Sequence, residues 1–174
     1  RAACQRMSSM IDAILQLSRL GRYEMKTEEV DLSALAQDIA QDLQRNDPDR
    51  KVEFVIEENI IAIGDKTLLR VVLENLIGNA WKFTQQHDQA KIEFGVLSNE
   101  KKPIYFVRDD GAGFDMKYSA KLFSPFQRLH SQVEFNGTGI GLASAQRIIR
   151  RHGGDIWVES VVEEGTTFYF TVGS

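Results

Sequence analysis

Three stretches of this 174-residue chain combine residue types and spacings that could do chemistry. In the first, residues 65–83, Asn75 and Asn79 lie four apart and Lys82 three further on. On a helix all three share one face. An Asn carbonyl oxygen is a hard ligand suited to Mg2+, and a Lys ammonium is a point charge for phosphate. The plainer reading is a solvated polar face beside an apolar stripe, weakened because Asn is a poor helix former. The second stretch is Asp109-Asp110-Gly111-Ala112-Gly113-Phe114, directly after the apolar run 104–107. Two glycines one residue apart let backbone approach a ligand closely. A carboxylate at a strand end can accept a hydrogen bond from an exocyclic amine such as that of adenine. Taken alone, an acidic Gly-rich loop is more often just a turn. The third is Gly137-Thr138-Gly139-Ile140-Gly141-Leu142-Ala143, opening a helix. Free N–H groups and the positive dipole end favour phosphate there. Its G-x-G-x-G spacing, preceded by a loop at 131–136, disfavours a dinucleotide-binding βαβ unit.

The elements that must hold these stretches follow from apolar periodicity. Cys4, Met7, Met10, Ile11, Ile14 and Leu17 recur at helical steps through residues 1–20, and Gly21 is a stop. That helix is either docked on the domain or the surviving half of a helical hairpin. Asp31 is an N-cap candidate for a helix carrying Leu32, Leu35, Ile39 and Leu43, ended at Asn46-Asp47-Pro48-Asp49. Asp65 caps the next helix, packed by Leu69, Val72, Leu73, Leu76 and Ala80. Strands are expected at 52–56, 60–63, 92–96 and 104–107, with closing strands around Ile156/Val158 and Phe168/Phe170/Val172. A short helix is expected near 119–123 and another over 141–151, stopped by Gly153-Gly154. Helices between strand pairs predict an α+β two-layer sandwich, a mixed sheet with helices on one face plus an N-terminal helix.

Composition bounds the function classes. The formal charge is −4, which argues against a nucleic-acid binder without excluding a local cationic pocket. One cysteine, Cys4, rules out a disulfide framework or a zinc site of several thiolates. No apolar run is long enough to span a bilayer. The first residue is not Met. A soluble fragment of a longer chain is therefore expected, in a reducing, cytoplasmic compartment, its parent membrane-bound or not.

In order, these segments resemble the catalytic, ATP-binding domain of two-component sensor histidine kinases, within the gyrase/Hsp90/histidine-kinase/MutL superfamily. Leu73-Glu74-Asn75-Leu76-Ile77-Gly78-Asn79-Ala80-Trp81-Lys82-Phe83-Thr84 resembles the N box, 109–113 the G1 box, Leu122-Phe123-Ser124-Pro125-Phe126-Gln127-Arg128 the F box and 137–143 the G2 box. Residues 7–25 resemble the end of the dimerisation hairpin, which divides the chain into 1–25 and 26–174. The resemblance implies ATP and Mg2+ as cofactors. Asn79 would ligate Mg2+ with Asn75 assisting, Lys82 would contact phosphate, and Phe83 would face the adenine. Asp109 would take the adenine amine, with Gly111 and Gly113 admitting the base. Phe123 and Phe126 would anchor a mobile lid, and Arg128 would reach the phosphates. Gly137, Gly139 and Gly141 would fold that lid onto the phosphates, with Thr138 and Leu142 also binding nucleotide. The implied partners are the chain's own dimerisation and phosphoacceptor domain, a response-regulator receiver domain, and a second copy in a homodimeric parent.

Two departures stand out. Asp110 occupies a position where Asn is more usual, so it either faces solvent or adds charge beside the nucleotide. No histidine precedes His87, so the resemblance implies a phosphoacceptor expected upstream of Arg1. His87, His130 and His152 are expected at the surface rather than as acceptors. Two other functions compete. A superfamily ATPase would need a Glu base one helical turn before Asn79; that position is Asn75, and Glu74 lies about 100° away around the helix. A non-catalytic nucleotide-binding relay is opposed by the intact glycines and the Asn79/Lys82 pair.

Overall fold

The computed structural model describes residues 7, 11–12, 14–15, 18–97, 102–126 and 139–173. Cys4, Met10, Leu17, Arg128, His130, Gly137 and Thr138 lie outside the described residues. Strands β1 (Glu28–Asp31) and β3 (Ile61–Gly64) pair antiparallel as a small ribbon. The main sheet comprises β2 (Val52–Ile56), β4 (Ala90–Leu97), β5 (Ile104–Asp109), β6 (Ile156–Val161) and β7 (Gly165–Phe170). Its order is β2-β4-β5-β7-β6, with β2 and β4 parallel and every other neighbouring pair antiparallel. The sheet is mixed, as the spacing of helices and strands implies.

Period-two burial shows which face the helices cover. Tyr105 and Val107 on β5, Val158 on β6, and Phe168 and Phe170 on β7 are buried. They pack with α1 (Leu32–Asn46), α2 (Lys66–Phe83) and α3 (Gly141–Arg151) in one core. Phe106, Trp157 and Tyr169, the alternate residues, are only half-buried on the other face.

Caps set where the helices begin. The Asp31 carboxylate accepts the Ala34 N–H at 2.8 Å and starts α1. Ser33, buried one residue into that helix, donates to Glu57 O at 2.6 Å and accepts the Ile60 N–H at 2.9 Å. This fastens α1 to the chain between β2 and β3. Asp65 opens α2 by accepting the Leu68 N–H at 3.0 Å, and it also accepts the Lys26 N–H at 2.8 Å. Burial pushes the Asp65 carboxyl up, but the Lys26, Leu68 and Thr67 amides outweigh it and hold the group below its usual range. Asp65→Ala is expected to cost about 2 kcal/mol in a urea unfolding series, for one lost cap and one stranded amide. The carboxyl titrates at 3.8 when unfolded and lower when folded. Its contribution is therefore present above that value and lost as pH falls, so variant and wild type converge in acid.

Several expectations are corrected. β1 was not foreseen: Glu-Glu-Val-Asp offers one buried residue, Val30, and no alternation. The short helix is a 3-10 segment at Met116–Lys121, opened by Asp115 accepting the Lys117 N–H at 3.0 Å. The closing strand stops at Phe170, before Val172. His152 is buried rather than at the surface. Its Nε2 accepts the Asp65 N–H at 3.0 Å and its Nδ1 lies 2.8 Å from Ile148 O, so the ring ties α3 to the start of α2. In the N-terminal segment the described residues Met7, Ile11, Ile14 and Leu15 are exposed. Leu20 alone of its described apolar residues joins the core. No helix among the described residues is long and apolar enough to cross a membrane.

Candidate nucleotide site

The site lies where the end of β5, the polar face of α2 and the start of α3 converge. Along α2, Leu73, Leu76, Ile77 and Ala80 are buried, while Asn75, Asn79 and Lys82 are half-buried along one edge. The Asn75 Nδ2 donates to Val71 O at 2.8 Å. Its Oδ1 faces the first turn of α3, where a Cβ on Gly141 would lie 2.3 Å away. α3 thus begins directly against that amide, and any larger residue at 141 would have to push the Asn75 side chain aside. α3 also starts without a side-chain cap, since Ile140 supplies none. Its first amides can thus serve an anionic group. Leu142 packs partly buried against the core. Lys82 Nζ lies 5.0 Å from the Phe83 ring centroid.

Asp109 ends β5 at the floor of this region. It is 6% exposed, opposite Thr166 of β7, and its Oδ1 accepts the Gly111 N–H at 2.9 Å. Burial, with the charge of Asp110 added, pushes its carboxyl up to about 7, against the pull of the Gly111 and Thr166 amides. Asp110 turns its side chain outward, toward β4. It is exposed, its Oδ1 accepts the Lys91 N–H at 2.9 Å, and its charge still reaches Asp109.

The loop after Asp109 is pinned on both sides. Ala112 N–H donates to Phe83 O at 3.1 Å, so the loop lies against the last turn of α2. A Cβ at Gly111 would be 2.4 Å from that same oxygen. Gly113 has φ +60, and a Cβ there would be 2.0 Å from Val161 O. Only glycine meets both conditions. Phe114 N–H then donates to buried Ser160 Oγ at 2.9 Å, which lies 2.8 Å from Thr166 Oγ1. Asp109, Gly111, Gly113 and Phe83 are thus gathered at one place.

The two phenylalanines expected to anchor a lid are placed differently. Phe123 packs edge-on to Phe168, with centroids 6.3 Å apart. Phe126 has φ +64 and donates its N–H to Gly139 O at 2.9 Å. Its ring is exposed and lines a cleft with Ile14, Gly21 and Arg147, on the side of the N-terminal helix.

Residues 64–173 match the family described as Histidine kinase-, DNA gyrase B-, and HSP90-like ATPase. The chain belongs to this family. Cyanobacterial phytochrome B of Nostoc sp. strain PCC 7120 is 38% identical over 171 residues, covering 97% of this chain and 23% of that protein. The chain therefore spans less than a quarter of that relative. The catalytic domain of histidine kinase ThkA is a structural neighbour with a TM-score of 0.70 and 27% identity, over 86% of this chain and 96% of that one. Full-length ShkA in complex with AMPPNP shares the fold, with a TM-score of 0.76 at 22% identity, over all of this chain and 38% of that one. The fold of this ATPase-family domain is thus the α+β sandwich expected, with its sheet and helices in the arrangement of histidine kinase catalytic domains.

Two residues at the site of this family member were missed in the sequence. Thr166, buried beside Asp109, reads there only as part of a closing strand. Arg50 donates to Trp81 O at 2.7 Å and Thr84 Oγ1 at 3.1 Å, and lies 4.2 Å over the Trp81 ring. It thereby holds the end of α2 that carries Lys82 and Phe83. No local signal links residues so far apart in sequence. Glu74, by contrast, turns to the exposed side and pairs with Arg70 at 2.9 Å. It is not aimed into the region between α2 and α3.

Proposed function

We propose that this chain is the ATP-binding catalytic module of a sensor histidine kinase, presenting the γ-phosphoryl group of ATP to a histidine imidazole on a dimerisation helix. The observation that carries the reading is Asp109. It is a buried carboxylate at the mouth of a glycine cradle, with the α2 amide and ammonium groups along one side. Donor chemistry fits each part of the ligand. Asp109 accepts the adenine amine, with Thr166 beside it, and Gly111 and Gly113 leave room for the base against Phe83. Lys82, Arg128 and the first amides of α3 would meet the phosphates, with Gly137, Gly139 and Gly141 letting a covering segment fold onto them and Thr138 and Leu142 also binding nucleotide. Asn79, assisted by Asn75, offers carbonyl oxygen to Mg2+.

When bound, Mg2+ would supply neutralisation of the phosphate charge. The chain's own part is positioning. It fixes the nucleotide so that the acceptor imidazole, the nucleophile, meets the phosphorus in line, and Lys82 offsets charge on the transferring group. The imidazole is supplied from outside residues 1–174. The division into a hairpin end at 1–25 and a catalytic domain at 26–174, and a cytoplasmic location, belong to this reading. So do a homodimeric parent, a response-regulator receiver domain as the next acceptor, and the absence of a nucleic-acid partner.

Calorimetric titration with ATP, with and without Mg2+, tests the site. Asn79→Ala is expected to weaken ATP binding about tenfold in the presence of Mg2+ and to leave Mg2+-free binding unchanged, for one lost polar contact to a charged group. An unchanged Mg2+ response would remove Asn79 from the metal site. Tight ATP·Mg2+ binding without transfer to a supplied phosphoacceptor hairpin would leave only the relay function.

A further inference from the structure

The end of the N-terminal helix is gripped by α3 at residues that the nucleotide site does not use. The last helical turn closes with Tyr23 N–H donating to Arg19 O at 3.1 Å. Leu20, in that turn, is 9% exposed and part of the core, so the turn is seated in the domain. The carbonyls that follow have no partner within their own helix. Arg151, the last residue of α3, donates from Nη1 to Leu20 O and from Nη2 to Tyr23 O. One turn earlier on α3, Arg147 lies across Gly21, where a Cβ would be 2.5 Å from its Nη2. A guanidinium suits this place because its planar fork reaches two oxygens at once, and its charge suits the negative end of a helix. The other end of α3 is Gly141, packed on Asn75. A single rigid helix therefore joins the grip on the incoming helix to the nucleotide site.

We infer that Arg151 is a positioning residue, a two-pronged cap on the incoming helix that fixes the direction in which the nucleotide site faces that helix. The inference rests on the phosphotransfer reading for its consequence, though not for its geometry. Lysine offers a point charge in place of the fork, so it can bind one carbonyl but cannot bridge both.

Two measurements separate the geometry from the reaction. In the first, spin labels are placed at Asp12→Cys and Thr167→Cys, with Cys4→Ser, and the label-to-label distance is measured by pulsed electron resonance. The intact chain should give one narrow distribution. Arg151→Ala should broaden it at least twofold, and Arg151→Lys should fall between. A distribution equally narrow in Arg151→Ala overturns the inference. In the second, the parent protein with its phosphoacceptor helix is assayed for transfer from ATP. Arg151→Ala should slow transfer tenfold or more with the nucleotide dissociation constant unchanged within twofold, and Arg151→Lys should recover part of the rate. A loss of nucleotide affinity parallel to the loss of rate would make Arg151 merely structural and overturn the inference. A parent that shows no transfer while the distance still broadens supports the cap and overturns the kinase reading instead.

Discussion

Asp109→Ala is expected to weaken ATP binding by about 10- to 100-fold, the range for one hydrogen bond to a buried charged acceptor. Calorimetric titration at fixed Mg2+ reads the change, and an unaltered dissociation constant would move the adenine elsewhere. The same carboxyl gives this chain a distinctive pH response. It titrates at 3.8 when unfolded and at about 7 when folded, because burial and then the neighbouring Asp110 charge disfavour its ionised form. Between those values the folded chain holds a proton that the unfolded chain has lost. The stability this group contributes is complete below pH 4 and lost as pH rises through 7, about 4 kcal/mol for a shift of about three units. Asp109→Asn should therefore melt like wild type near pH 4 and progressively above it toward pH 8, when no nucleotide is bound. ATP binding runs the opposite way. The adenine amine bonds more strongly to an ionised carboxylate than to a neutral carboxyl, so affinity should rise as pH passes 7. Asp110→Asn should move that rise to lower pH, since it removes one of the two causes of the high value.

Gly113→Ala is the second large effect, and it should act on the fold rather than on the ligand. The residue sits at φ +60, and its added Cβ would stand 2.0 Å from Val161 O, a backbone atom with no rotamer to yield. Strain at a left-handed residue plus displacement of the β6–β7 turn should cost about 3 kcal/mol or more. Gly78→Ala is the matched control. It lies between Asn75 and Asn79 on α2, with nothing within 4 Å of the position its Cβ would take. That substitution should stabilise the nucleotide-free chain by about 0.5–1 kcal/mol through helix propensity. Denaturant unfolding of the pair checks both signs. A neutral Gly113→Ala would mean that the loop after β5 is free to shift. Asp109 would then lack the bracing that this loop provides.

Much of the architecture was legible because its signals are local. Asp31 and Asp65 announce their helices by type and position, and both carboxylates make the expected cap bonds. Ile92/Phe94 and Phe168/Phe170 alternate, and they are buried on one face of the sheet as the period requires. What could not be read depends on partners distant in the chain. β1 is a strand because Ile61–Gly64 pairs with it, not because Glu-Glu-Val-Asp favours one. His152 reads as a polar residue at a helix end. It is buried because the Asp65 amide, 87 residues away, donates to its ring.

The candidate site divides in the same way. The sequence alone determined which groups are present: amides and an ammonium at helical spacing, a carboxylate ahead of two glycines, and a glycine-rich helix start. Those are properties of residue type and interval, and a short stretch carries them whole. Only the tertiary structure decided how the groups act. It buried Asp109 until its carboxyl rose to about 7, and set Asn75 against Gly141. It also turned Glu74 out to Arg70 and placed Arg151 on the last carbonyls of the incoming helix. Each of these depends on desolvation or on contact between segments that are far apart in sequence. Folding sets both, and no local interval encodes either.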